Sequence, residues 1–164
     1  MNSYWKNYIQ SPMFNVDALQ AALQKEKAER NLSEFIKQAW RVIEPGTTYV
    51  ENWHIDLISE YLQAVENNEI LRLIINIPPR HMKSIQTTVC YPAWSWIKKP
   101  EKRFIKVSYS DNLSRKHNVL SRDIILSPWY QKNWGDRFTL KDDVNRQNEF
   151  KNNHHGMMFS TSVG

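Results

Sequence analysis

The feature that most constrains this chain is the apolar run Ile70-Leu71-Arg72-Leu73-Ile74-Ile75-Asn76-Ile77, which stops abruptly at Pro78-Pro79. A short run rich in β-branched residues, with few polar interruptions, predicts a strand buried on both faces of a parallel sheet. After Ser84 the repeat turns helical, with Ile85, Thr88, Val89, Ala93, Trp96 and Ile97 at helical spacings. Pro92 lies inside that repeat, removes one backbone donor and predicts a kink. Phe104 to Tyr109 alternates and predicts a second strand, and Ser110 or Asp111 caps a helix carrying Leu113, Leu120 and Ile124 as far as Ser127-Pro128. Strand, helix, strand, helix is the order of an α/β fold with a parallel sheet and right-handed crossovers.

The flanks add helices and one more strand. Residues 16 to 43 read as helix, the second half better than the first: Leu32, Phe35, Ile36, Ala39, Trp40 and Ile43 form one stripe, with Asn31 and Glu34 as a capping box at its start. A further helix from about Asn52 to Val65 presents Ile55, Ile58, Tyr61, Leu62 and Val65 on one face. Residues 131 to 153 are polar and Asn-rich and predict a loop region, and Met157 to Val163 predicts another strand. The chain divides into an N-terminal helical region, 1–48, and an α/β domain, 49–164.

Composition limits what the chain can do. Seven Trp, seven Tyr and six Phe are globular usage. A single cysteine, Cys90, excludes an internal disulfide and reads as a small core residue. The N-terminal segment has no apolar core of signal-peptide length, and no stretch has the length of a membrane span, so a cytosolic setting is expected. The net charge of +5 arises from 22 cations scattered among 17 acids, which is weak grounds for an anionic partner.

The chemistry concentrates between the apolar run and the next helix, at Pro78-Pro79-Arg80-His81-Met82-Lys83-Ser84. The segment keeps the Lys-Ser pair and the strand, loop and helix context of the P-loop pattern but lacks both of its glycines. A turn into a helix start aims free backbone N–H groups and the positive end of the helix dipole at one spot, which suits a phosphate. There the Lys83 ammonium reaches the β and γ phosphates of a nucleotide such as ATP, the Ser84 hydroxyl completes the coordination of Mg²⁺, and Arg80 adds a second cation. Met82 stands where glycine commonly brings backbone close to phosphate, so either its side chain points away or the loop differs. A Pro-stiffened turn carrying surface charges accounts for the same residues without any ligand.

The stretch resembles the phosphate-binding segment of the large terminase subunits of tailed phages, in which Pro-Pro-Arg-His is followed by one residue and Lys-Ser. Trp53-His54, Tyr91-Pro92-Ala93-Trp94, Tyr109-Ser110-Asp111-Asn112-Leu113-Ser114, Ser127-Pro128-Trp129-Tyr130 and Phe159-Ser160-Thr161-Ser162-Val163-Gly164 are similar to that family in the same order, from about residue 33 onward. The resemblance implies an ASCE-type P-loop NTPase, a three-layer sandwich with a parallel sheet, incomplete here and preceded by N-terminal helices. It implies an ATP hydrolase that drives double-stranded DNA into a procapsid from the host cytoplasm, joined in the full protein to a nuclease domain. The small terminase subunit, the portal protein and a homo-oligomeric ring are the implied partners, with no membrane. Pro79, Arg80, His81, Met82, Lys83 and Ser84 map onto the nucleotide-binding loop, with Lys83 and Arg80 as its catalytic cations and Ser84 as the metal position. Trp53 and His54 map onto the adenine side, and the family usually has Gly at the position of Met82.

Hydrolysis needs two carboxylates at the end of a second core strand, and they are expected beyond Gly164. Asp142-Asp143 reads as part of a solvated loop. His154 and His155 read as loop histidines, since adjacent side chains diverge and no further ligand stands at metal spacing. Arg115, Lys116 and Arg122 could face DNA; a solvated helix face is the simpler reading. A different P-loop protein, such as a helicase or small kinase, or a non-catalytic basic binding domain are the alternatives.

Overall fold

The computed structural model describes residues 15–163. The N-terminal segment 1–14, read above as lacking an apolar core, and Gly164 lie outside the described residues. Among the described residues, six α-helices and a small mixed sheet make an α/β arrangement. In chain order the helices are α1 (Val16–Arg30), α2 (Leu32–Ile43), α3 (Trp53–Glu66), α4 (Tyr91–Lys98), α5 (Asp111–Leu126) and α6 (Pro128–Trp134). A π-helical segment, Ile85–Cys90, leads into α4. The strands are β1 (Arg103–Ser108), β2 (Leu140–Asn145), β3 (Glu149–Asn152) and β4 (Met157–Ser162), in the order β1-β4-β3-β2.

The expected single helix over 16–43 divides at Asn31. Its carboxamide oxygen accepts from the N–H of Ser33 at 2.8 Å and of Glu34 at 3.4 Å, satisfying two donors that a helix start leaves free. The stripe read from α2 is buried as expected, apart from the partly exposed Trp40. Phe35 lies 5.3 Å from Trp129 and 5.9 Å from Trp134, ring centre to ring centre. Ser127 caps α6 by accepting from Tyr130 N–H at 3.2 Å, with Pro128 in the first turn where its missing donor is harmless. Tyr130 then donates to Ala93 C=O at 2.9 Å, and Trp94 donates to Ala28 C=O at 2.9 Å. These buried aromatic rings fill the core while their polar ends find partners, so bulk and polar satisfaction are met together.

Three sequence readings are corrected. First, the sheet is mixed: β1 and β4 pair in parallel, while β4 with β3 and β3 with β2 are antiparallel. Secondly, residues 131–153 are no loop region; they hold the end of α6 and the β2–β3 hairpin, with Asp142 and Asp143 exposed on the edge strand β2. Edge strands tolerate charge because one side of the ladder faces water, so polar strands are disguised as loops. Thirdly, Ile70–Ile77 joins no sheet ladder among the described residues and is not buried on both faces. Leu73, Ile75 and Ile77 pack on the core, whereas Leu71 is 84% and Ile74 86% exposed. An extended segment laid down by one face alternates in this way.

Pro92 acts through the π segment. Tyr91 N–H reaches back five residues to Gln86 C=O, and in a regular helix residue 92 would have served Thr88 C=O. The Ser121 hydroxyl of α5 lies 3.0 Å from Val89 C=O and 3.3 Å from Thr88 C=O, packing a donor against carbonyls of that irregular turn. Ser121 also accepts from the Lys106 ammonium at 2.6 Å. At the far end of α3, buried Glu66 accepts from Tyr91 (3.0 Å) and Ser95 (2.9 Å) and pairs with Lys102 at 2.8 Å. Burial opposes its charge, but those donors win and hold the carboxyl below the usual carboxylate range.

Lys106, buried on β1, has no such carboxylate among the described residues, and burial pushes its ammonium down to about 7. The unfolded chain therefore holds a proton that the folded chain releases between about pH 7 and the ordinary lysine value, so stability rises with pH across that window and is lost as pH falls towards 7. Denaturant titrations at pH 7.0 and 8.5 are predicted to show a gain approaching ~1.4 kcal/mol per pH unit. The gain disappears in Lys106→Met; an equal pH response in that variant would contradict the assignment.

Candidate functional site

The chain enters the candidate site from the extended segment ending at Ile77 and leaves it as a helix. The first backbone bond of that helix runs from Gln86 N–H to Met82 C=O at 2.9 Å. The N–H groups of Lys83, Ser84 and Ile85 therefore belong to the first turn, which has no acceptors within the helix, and the positive end of the helix dipole sits with them. Residues 77–85 wrap a concavity of about 480 Å³. Lys83 and Arg80 are exposed at it, and neither makes an ion pair among the described residues.

The turn is sharp because two of its residues are left-handed. Arg80 has φ 68° and Met82 φ 59°. Side chains with a Cβ pay roughly 1–2 kcal/mol for that region, which is why glycine is the usual occupant. Met82 thus adopts backbone geometry that glycine adopts freely; its half-buried side chain packs against the core and also lines the concavity. Packing of Ile77, Met82 and Ile85 against the core holds the turn in place. His81 Nδ1 sits 2.9 Å from Pro79 C=O, and Thr87 donates to Lys83 C=O at 2.9 Å, bracing the loop from both ends.

A second concavity of about 690 Å³ adjoins the first. Trp53, His54 and Tyr61 of α3 line one side of it, and Ile74 and Asn76 of the extended segment the other. Ile77, Pro78 and His81 line both spaces, and the His54 and His81 rings meet edge to face at 5.7 Å. Trp53 is 74% exposed, and its ring meets that of His54 edge to face at 6.1 Å. His54 Nε2 is buried without a hydrogen-bond partner among the described residues. Every residue expected at the site, Pro79 to Ser84 together with Trp53 and His54, is therefore brought to one continuous surface. Asn76 and Tyr61 were missed as lining residues: an exposed Asn in an apolar run and a tyrosine on a helix stripe carry no distinctive spacing.

The donor set can be tested against a metal. Ser84 lines the smaller concavity and offers one hard oxygen, the kind of ligand Mg²⁺ takes when other oxygens and water supply the rest. No Asp or Glu lines either concavity, and no group of three His, Cys, Asp or Glu suited to a metal occurs among the described residues. Asp142 and Asp143 stand on β2 at the outer edge of the sheet. His154 and His155 occupy the turn after β3, where His155 is left-handed at φ 64°. Cys90 is fully buried, and burial drives its thiol well above the ordinary range, which suits a core residue and not a nucleophile.

Arg80→Gly relieves a left-handed side chain at an exposed position and is predicted to raise stability by ~0.5–1 kcal/mol in denaturant titration. Arg80→Val is predicted to destabilise by ~1 kcal/mol or more; the reverse order of the two variants would contradict the left-handed geometry. A scan against protein-family models, a search of curated proteins and a search of solved structures each return no match to this chain.

Proposed function

We propose that the turn at Arg80–Ser84 binds the triphosphate of ATP, and that the chain is the nucleotide-binding portion of a DNA-packaging terminase large subunit. The observation that carries this reading is the unpaired Lys83 at a helix start whose first-turn amides border a concavity. Helix-start amides, the dipole and a lysine ammonium together form an anion cradle. Support also comes from the adjoining space: an exposed Trp53 ring and His54 lie next to the cradle, as a purine attached to that triphosphate requires. Met82 in left-handed backbone supports the loop assignment at the position where the resemblance has glycine.

The roles follow from the chemistry. Lys83 neutralises the β and γ phosphates, Arg80 contributes a second charge at the γ phosphate, and Ser84 provides one oxygen to Mg²⁺. Binding the metal with the nucleotide would lower the charge that the turn has to offset. In this reading the whole protein couples ATP hydrolysis to translocation of double-stranded DNA into a procapsid, in the host cytoplasm, as a ring that engages the portal and the small subunit. No described helix is long and apolar enough to cross a membrane.

With no carboxylate lining either concavity, the chain is expected to bind nucleotide without turning it over. A fluorescent ATP analogue with Mg²⁺ should bind the purified chain, and Lys83→Ala should weaken that binding at least tenfold, ~1.4 kcal/mol. Equal binding by both proteins, or hydrolysis well above background that Lys83→Ala abolishes, would overturn this reading.

A further inference from the structure

Two imidazoles from separate elements meet where the two concavities join. His54 stands in the first turn of α3 and His81 within the reversal, and their ring centres are 5.7 Å apart with an interplanar angle of 65°. Both line the larger concavity. A neighbour sets the tautomer of His81. A carbonyl oxygen only accepts, so the 2.9 Å contact of Nδ1 with Pro79 C=O requires a proton on Nδ1, and the lone pair of the neutral ring is then on Nε2. Nε2 of His54 is buried with no hydrogen-bond partner among the described residues, a desolvation cost that a ligand would relieve. Leu57, Ile58 and Ile74 line the same space and give these nitrogens an apolar surround.

We propose that His54 and His81 form a two-imidazole site for a divalent transition-metal ion of the Zn²⁺ class, with water in the remaining positions. The spacing fits such an ion. Zn–N bonds of about 2.0–2.1 Å place the metal about 3.2 Å from each ring centre, so a tetrahedral angle separates the two centres by about 5.3 Å. The 5.7 Å spacing is close enough for small side-chain rotations to close the difference. His81 also has the outer contact that metal-binding histidines use: Nδ1–H on a backbone carbonyl fixes the ring and leaves Nε2 to the metal. Neutral nitrogen donors favour Zn²⁺, Cu²⁺ or Ni²⁺ over Mg²⁺, which takes oxygen, so the site differs in chemistry from the hydroxyl of Ser84. With no group of three His, Cys, Asp or Glu among the described residues, the ion is held exchangeably and not in a closed structural cage. Asn52 and Asn76 line the space and offer carboxamides to the metal's water ligands. An ion here ties α3 to the left-handed turn. The inference does not depend on nucleotide binding.

The test is a Zn²⁺ titration of the full chain without nucleotide, in competition with a chromophoric chelator, together with NMR of the imidazole nitrogens of the isotopically labelled protein. The wild type should take up Zn²⁺ saturably, with the largest nitrogen shifts at Nε2 of both His54 and His81, and a large excess of Mg²⁺ should not displace it. His54→Gln and His81→Gln should each weaken uptake at least tenfold, and the two together little more than either alone, because one remaining imidazole holds the ion poorly. Replacing His154 and His155 with alanine should leave the affinity unchanged. No uptake by the wild type, shifts at His117, His154 or His155 in place of His54 and His81, wild-type affinity in either glutamine variant, or displacement by Mg²⁺ would each overturn the proposal. If a glutamine variant fails to fold, the nitrogen shifts of the wild type decide. Absence of nucleotide binding with the Zn²⁺ response intact would instead count only against the function proposed for the turn.

Discussion

The organising constraint is the reversal of the chain at Arg80 to Ser84, from an extended segment into a helix within a few residues. It is achieved by two left-handed residues that both carry side chains, and strain of that kind persists only where the surroundings over-determine it. Here the surroundings are the apolar anchors on each side: Leu73, Ile75 and Ile77 before the turn, Met82 and Ile85 within and after it. They leave the side chains of Arg80 and Lys83 exposed. In the function proposed here, an anion at this place would gain from the fixed dipole of the helix start and from the charges of Arg80 and Lys83.

The helix that starts there is held by unusual means. Pro92 would break a regular helix, and the π segment Ile85–Cys90 absorbs the missing donor by lengthening one turn, with Ser121 placed against the carbonyls involved. Lys106 beneath it and the Glu66 cluster beyond it are buried polar groups, and such groups fix geometry because every alternative arrangement leaves a charge or a donor unmet. The aromatic group around Phe35, Trp129 and Trp134 ties α2 and α6 to the same core.

Amphipathic stripes and strands with one buried face were legible from residue types alone. α2, α3, α5, β1 and β4 fall where their spacing places them, because each buries a single regular face. The β2–β3 hairpin was not legible: Lys141, Asp142, Asp143 and Asn145 carry no β preference, and tertiary pairing overrides it. Ile70–Ile77 failed in the opposite sense, since its composition is that of a doubly buried strand while only alternate residues touch the core. At the site, the Lys83-Ser84 pair at a helix start was legible. The left-handed Arg80 and Met82 were not, since without glycine nothing in their types marks such a conformation. The contact of His54 with His81 joins residues from two elements that spacing cannot relate.

The most direct measurement of the central claim is a backbone amide NMR titration of the isotopically labelled chain with Mg²⁺ and ATP. If the turn grips a triphosphate, the largest shifts fall on the amides of His81, Met82, Lys83, Ser84 and Ile85, with a smaller set at Trp53 and His54. Saturable shifts centred anywhere else, or none at millimolar nucleotide, would contradict it.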